Sequence, residues 1–319
     1  MKRIAVIGGG HGSSIVLTAL KDSGRHLSAI LSMTDDGGST GRLKKELGTS
    51  AAGDIRQCLV ALADNPEVAK LFGYRFESGE LSGHSLGNLF LAAGELQHKD
   101  IEQSIEIAKK ALKVGADVIP STLDRCELQL DLQGKHYGGV YEIANKDFDG
   151  IRPHLSIEPS AGLSKTAGEA VRKADFIIIA PGNFYCSIMP ALMVQGMVKA
   201  INEAPAKVIL VANLINRIDQ TGGFNATDYV DEIRRLAGDL RLDALIYNTS
   251  DIAKACLREG EEPVRTANAA DPGYSLVGRE ISDDDQVKND INDKIAHVRS
   301  LARHDKAKLA AVLEEVMDN

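Results

Sequence analysis

The sequence predicts a doubly wound α/β sandwich with a mostly parallel sheet, on two observations. Six short apolar runs, at residues 4–7, 29–33, 117–119, 176–180, 208–212 and 244–247, lack polar alternation. Strands covered on both faces by helices read this way. Segments of helical spacing lie between them, as where Ile101, Ile105, Ala108 and Leu112 form a stripe with Lys109, Lys110 and Lys113 on other faces. Strand–helix alternation over 319 residues is expected to form one domain spanning residues 1–319.

Taken in order, the first strand ends in a glycine run and feeds a helix at residues 15–20. The second ends in an Asp-Asp-Gly-Gly loop. Helices are expected to open at Gly53 and near residue 89. Residues 126–144 break the pattern: Leu128, Leu130 and Leu132 alternate, a turn falls at Gln133-Gly134-Lys135, and the chain runs on through Tyr137 to Tyr141. That is an inserted antiparallel β-hairpin. Ser282 to Asp285 and the Asn/Asp-rich residues that follow read as a solvated loop. Leu309, Val312, Leu313 and Val316 mark a closing helix over residues 293–318.

Composition excludes several classes. With 37 Lys and Arg against 45 Asp and Glu, the net charge is −8, so the chain lacks the basic field that non-specific nucleic-acid binding uses. There is no Trp and aromatics are 4%, which argues against stacking platforms for sugars or single strands. Cys58, Cys126, Cys186 and Cys256 are widely spaced, without a CxxC pair, and read as free thiols in a reducing compartment. The apolar run at residues 4–7 is too short for a signal peptide or a membrane span. A soluble, cytoplasmic protein without nucleic-acid or membrane partners is expected, with self-association left open.

The polar residues gather where strands end. Gly9, Gly10, His11 and Gly12 follow the first strand, where backbone N–H groups can approach a phosphate at a helix start. Ser13 stands where a dinucleotide G-x-G-x-x-G would need its third glycine. After the second strand come Asp35, Asp36, Ser39, Thr40 and Arg42. Paired carboxylates attract a hard cation such as Mg2+, with Asp54 as a further candidate ligand, while Arg42 suits phosphate oxygens. An Asp-Gly turn and a helix-capping Asp54 explain the same residues without a ligand. His84 and Asn88 sit at another helix start, yet no G-x-S-x-G elbow supports a serine hydrolase. Gly182, Asn183, Tyr185, Ser187 and Asn213 follow two late strands. Ligands in open α/β sheets bind at such carboxyl ends.

These motifs resemble the CofD-like superfamily, and within it the YvcK-type gluconeogenesis factors. The resemblance rests on residues 8–12, Asp35-Asp36-Gly37-Gly38-Ser39-Thr40-Gly41-Arg42-Leu43, Gly53-Asp54-Ile55-Arg56, Tyr74-Arg75-Phe76, Gly83-His84-Ser85-Leu86-Gly87-Asn88-Leu89, Pro181-Gly182-Asn183-Phe184-Tyr185 and Arg303-His304-Asp305. It implies a Rossmann-like three-layer α/β/α sandwich and a cytoplasmic bacterial protein. It further implies binding of UDP-sugars such as UDP-N-acetylglucosamine, and a role in carbon-source-dependent growth and cell shape. The sister branch comprises Mg2+-using 2-phospho-L-lactate transferases of deazaflavin coenzyme synthesis. Three departures bear on the ligand rather than the fold. His11 replaces a threonine, Ala51-Ala52 replaces Pro-Pro, and Ile215 to Gly223 replaces a stretch rich in Pro, Gly and Glu. Arg303 carries over as a phosphate or sugar contact, beside the reading of a solvated helical arginine.

The expected function is a nucleotide-sugar-binding regulatory protein, with no catalytic residue assigned. A Mg2+-dependent transferase, with Asp35, Asp36 and Asp54 on the metal, is the first alternative. An NAD(P)-dependent oxidoreductase is the second; Ser13 and the lack of a hydride-transfer constellation count against it.

Overall fold

The computed structural model describes residues 1–267, 272–283 and 300–318. In chain order the strands are β1 Arg3–Gly8, β2 His26–Leu31, β3 Asp117–Pro120, β4 Glu127–Leu132, β5 Lys135–Gly138 and β6 His154–Glu158. They continue with β7 Phe176–Ile179, β8 Lys207–Val211, β9 Ile215–Arg217, β10 Ala244–Asn248, β11 Glu261–Pro263 and β12 Ser275–Arg279. Seven of these form one sheet in the order β12-β10-β8-β7-β1-β2-β3, and every pairing within it is parallel. The chain winds outward from β1 in one direction and, after β3, outward from β7 in the other. The switch in strand order therefore falls between β1 and β7.

Side-chain alternation sorts the central strands into two cores. Ile4, Val6, Ala29, Leu31, Phe176, Ile178, Ile209 and Val211 pack on one face; Ala5, Ile7, Ile30, Ile177, Ile179, Val208 and Leu210 pack on the other. The first face is covered by helices that include α1 Gly10–Leu20, α3 Gly53–Leu62, α6 Ile101–Leu112 and the closing helix Lys306–Asp318. Between these in sequence lie α2 Gly38–Leu47, α4 Pro66–Gly73 and α5 Leu86–His98. The three-layer parallel sandwich is the architecture the sequence predicts.

Four elements differ from expectation. The hairpin turn at Gln133 and Gly134 is present, both residues having positive φ, but its second strand stops at Gly138. Gly139, at φ 87, turns the chain out of the ladder, and Tyr141 donates its N–H to Asp36 Oδ1 at 2.7 Å instead. The free edge of β4 pairs with β6, so the insertion is a three-stranded sheet. β12 was not expected: its half-buried edge position lets Ser275, Gly278 and Arg279 dilute the apolar signal. Helix α1 starts five residues earlier than its apolar stripe suggests.

The closing helix starts at Lys306, not near 293. Ser282 and His304 form a β-bridge, and Asp305 Oδ1 accepts the Lys308 N–H at 2.7 Å, capping the helix there. Ser282 is accordingly 2% exposed rather than part of a solvated loop. The remainder of that predicted loop, and residues 293–299 of the predicted helix, lie outside the described residues.

One buried charge ties the loop after β7 to the helix Ala226–Ala237. Glu232, 0% exposed, accepts from the Tyr185 hydroxyl at 3.0 Å and from Arg235 Nε at 2.7 Å, and Arg152 lies 3.5 Å away. Removing it strands a buried hydroxyl and two partly solvated guanidiniums. Glu232→Ala is expected to cost about 2–3 kcal/mol, and Tyr185→Phe about 1 kcal/mol. Urea denaturation checks this; equal midpoints for the two variants would contradict it.

Candidate functional site

Four helix N-termini converge at the carboxyl end of the sheet. Helix α1 opens after an extended Gly9, with no side-chain cap, so its first N–H groups seek partners elsewhere. Asp54 comes close: the Gly10 backbone lies against that carboxyl and holds its pKa down against burial. Asp54 itself lies in the first turn of α3. The first turn of α2 brings in Ser39 and Thr40, both buried. At the start of α5, Ser85 Oγ accepts the Asn88 N–H at 3.2 Å.

This convergence explains the glycines. A β-carbon at Gly10 would stand 2.6 Å from Asp54 Oδ1, and one at Gly9 would stand 2.6 Å from Ser187 Cβ. At Gly12 it would overlap the Pro181 carbonyl oxygen; at Gly53 it would stand 2.5 Å from Asp35 Oδ2. The glycines after β1 thus meet protein atoms on several sides. Their excess reflects how closely α1 approaches α3 and the β7 loop, in addition to whatever ligand room they leave.

The three candidate metal ligands separate. Asp35 accepts the Gly37 N–H at 3.0 Å and the Thr40 hydroxyl. Burial, followed by repulsion from Asp35, pushes Asp54 up to about 7, against the pull of the Gly10 N–H and the Arg56 guanidinium. Burial raises Asp35 as well, with the Asp36 charge adding to the rise. Asp36 instead turns to the insertion through Tyr141. Asp35 is held by its own helix start and Asp36 by the insertion, so the two carboxylates have different partners. Among the described residues no three His, Cys, Asp or Glu side chains are disposed to hold a metal. Asp35 and Asp54 fit Mg2+ only as it is held beside phosphates, by one or two carboxylates with ligand oxygens completing the shell.

Ser39 Oγ lies 3.0 Å from His84 Nδ1, and burial with the nearby Arg42 charge lowers the His84 pKa, leaving the ring neutral at pH 7. Arg42 reaches out to the Ser82 carbonyl at 2.6 Å. Asn88, 3% exposed, keeps its Oδ1 buried without a hydrogen-bond partner among the described residues. A buried acceptor of this kind calls for a donor.

Beside this cluster, at the β1/β7 switch, lies a cleft of about 300 Å3. His11, Gly12 and Ile15 of α1 face Gly182, Asn183 and Phe184 across it; Asn213, Leu214, Arg303 and His304 close its far side. Most polar side chains here build the wall. Gly182 N–H donates to Asn213 Oδ1 at 3.0 Å, and Asn213 Nδ2 returns a bond to the Gly182 carbonyl at 2.8 Å. Asn183 Oδ1 accepts the Cys186 N–H at 3.2 Å, and Ser187 packs on Gly9. Tyr185 is 1% exposed and bonded to Glu232, inside the core rather than in the cleft. His11 Nδ1 pairs with Gln57 Oε1. Burial brings His304 down to about 4, so a neutral ring meets the Ala212 carbonyl at 3.3 Å. Sequence reasoning missed Gln57, Phe184 and Ile15. Gln57 was findable: it lies three residues after Asp54, on the same face of α3.

A family profile described as 2-phospho-L-lactate transferase CofD matches residues 4–287. The chain belongs to the CofD family. This CofD-family chain is similar to the gluconeogenesis factor of Bacillus subtilis, 34% identical over 321 residues that span 99% of this chain and 98% of that one. It is 36% identical over 270 residues to the gluconeogenesis factor of Halalkalibacterium halodurans, with 82% and 84% covered. A crystal structure of a UPF0052-family protein from Bacillus halodurans matches with a TM-score of 0.88 at 30% identity, covering 98% of this chain and 100% of that one.

The carboxylate pair of this CofD-family site has a measurable pH signature. Folded Asp54 keeps its proton up to about 7, against an ordinary value of 3.8. Between those values the unfolded chain has released a proton that the folded chain still holds, so stability falls as pH rises and the penalty is complete above the upper value. Asp54→Asn keeps an acceptor for the Gly10 N–H and sheds the charge. It should melt above wild type at about pH 8, by about 1–2 kcal/mol, and the gap should close towards about pH 4. Thermal melts across that range check it; a variant less stable at the alkaline end contradicts it.

Proposed function

We propose that this gluconeogenesis-factor relative is a cytoplasmic regulatory protein that binds a nucleoside-diphosphate sugar of the UDP-N-acetylglucosamine type. The observation that carries the reading is the asymmetry of the dinucleotide crevice. On the β1/β2 side, where a Rossmann protein holds the adenosine half of NAD, Asp54 and Gln57 crowd Gly10 and Asp35 is already bonded to Gly37 and Thr40. The β1/β7 side keeps a cleft with apolar walls from Ile15, Phe184 and Leu214, suited to a single heterocycle. The diphosphate would lie at the α1 terminus, with His11 and Gly12 N–H groups and Arg303 as donors. The sugar would extend towards Ser39, Thr40 and Asn88. Four buried free thiols support a reducing compartment, and no described helix is long and apolar enough to cross a membrane. Loss of such a regulator would show in carbon-source-dependent growth and in cell shape.

A transferase is the second reading, favoured by one observation: Asp35 and Asp54 can share Mg2+ with a ligand phosphate. The ion would supply charge neutralisation on a transferred phosphorylated group. Here Asp35 and Asp54 would hold it, Thr40 would orient Asp35, and Asp36 would stay outside.

Titration calorimetry separates these readings. UDP-N-acetylglucosamine should bind with or without Mg2+, NAD should not, and Asn88→Ala should weaken the sugar nucleotide about tenfold by removing the buried acceptor. Tight NAD binding with no UDP-sugar binding would overturn the proposal. Multiple turnovers with Mg2+, the activated 2-phospho-lactate nucleotide and a deazaflavin acceptor, abolished by Asp54→Asn but not by Asp36→Asn, would establish the transferase instead.

A further inference from the structure

The stretch from Ile215 to Gly223, where this chain departs from the pattern of the family it resembles, contributes Ile215, Arg217, Gln220 and Thr221 to the lining of the cleft. Two of these side chains are seated together at the end of the short helix Val140–Ala144. Arg217 Nη1 donates to the Ala144 carbonyl, and Gln220 Nε2 donates to the Ile143 and Lys146 carbonyls at 2.9 and 3.0 Å.

Those bonds decide which way round the Gln220 amide lies. A glutamine amide has an acceptor oxygen and two donor hydrogens on its nitrogen. Backbone carbonyls take both hydrogens here, and turning the amide over would set Oε1 against the same carbonyl oxygens. Oε1 keeps accessible surface and accepts no hydrogen bond among the described residues. The charged neighbours differ from it. Asp219 Oδ1 accepts from Arg217 Nε at 3.1 Å and Asp219 Oδ2 from Arg217 Nη2. Glu261, opposite Arg217 in the β9–β11 ladder, accepts the Arg258 N–H at 2.9 Å. Thr221 Oγ1 accepts the Arg217 N–H at 3.2 Å. Each of these groups is tied to a protein partner, whereas Gln220 Oε1 is not.

We propose that Gln220 reads the base: its locked amide oxygen accepts the N3–H of a uracil bound against Ile15, Phe184 and Leu214, and so selects uridine over cytidine. The assignment rests on the nucleotide-sugar reading of this cleft. A glutamine free to turn over serves either pyrimidine, because it can offer an N–H to cytosine N3 or an oxygen to uracil N3–H. With both hydrogens held at the helix end, cytosine in the same pose sets one lone pair against another. A site built around a hydrogen bond strongly rejects an analogue that cannot make it.

The test titrates the full chain with UDP-N-acetylglucosamine, its cytidine counterpart and its N3-methyluridine derivative. Wild type should bind the uridine compound at least about tenfold more tightly than either of the others. Gln220→Ala should weaken the uridine compound about tenfold and leave the cytidine compound as in wild type, so that the preference disappears. Loss of bracing at the helix end would weaken both nucleotides alike, so a variant that does this assigns Gln220 a structural role and overturns the proposal. A wild-type preference retained in Gln220→Ala overturns it as well. So does a wild type that binds the uridine and cytidine compounds equally, or the N3-methyl compound as well as its parent; the cleft would then still be a nucleotide-sugar site. The N3-methyl comparison needs no variant and decides even where Gln220→Ala does not fold. Absence of binding by all three compounds overturns the nucleotide-sugar reading and this assignment with it.

Discussion

The closeness of α1 to α3 governs the whole carboxyl end of the sheet, because a carboxylate fills the gap that remains between them. Asp54 lies against the Gly10 backbone, so the positive end of α1 meets an acidic group from within the protein. That close approach leaves no room for a β-carbon at position 10, and Asp54 is both desolvated there and set against Asp35. The site is thus electrostatically poised: desolvated acids lie beside several helix N-termini, and an incoming phosphate or cation changes the balance for all of them.

Around that contact the side chains divide the work. The loops after β7 and β8 spend their amides on one another: Asn213 pairs with Gly182 in both directions, and Asn183 caps the turn that follows. What they offer a ligand is therefore mostly backbone, held in place by bonds that do not need the ligand. Tyr185 extends this bracing into the core through Glu232. Such a site is preorganised, which lowers the ordering cost of binding.

Most of the strands legible in the sequence have both faces buried, as where Ile177, Ile178 and Ile179 are all 0% exposed, while β4 was legible from its alternation. β6 and β12 were not legible, since one is a partner of the insertion and the other a half-exposed edge, and edges tolerate Ser, Gly and Arg. Gly9 to Gly12, Asp35 to Arg42, Gly182 to Ser187 and Asn213 do follow strands that the sequence predicts, but what each side chain does was harder to read. Composition could not reveal that Asp36 turns away from Asp35, or that Tyr185 faces inward. Nor could it separate glycines that admit a phosphate from glycines that admit a neighbouring helix. Pairwise distance decides such questions, and local sequence carries little of it.

The far wall of the cleft adds a separable layer. Residues 300–304 are tied down by the bridge from His304 to Ser282 and by the His304 ring on the Ala212 carbonyl. That ring stays neutral well below pH 7, because burial brings its pKa to about 4. The wall lies beyond residues 4–287, the span that matches the CofD profile, whereas Asp35 and Asp54 lie within it. Two chains can therefore share the carboxylate pair and the helix termini that suit phosphates while differing in what closes the cleft. The helix termini and the carboxylate pair belong to the frame that the family profile spans; the side of the cleft that Arg303 and His304 line lies outside it.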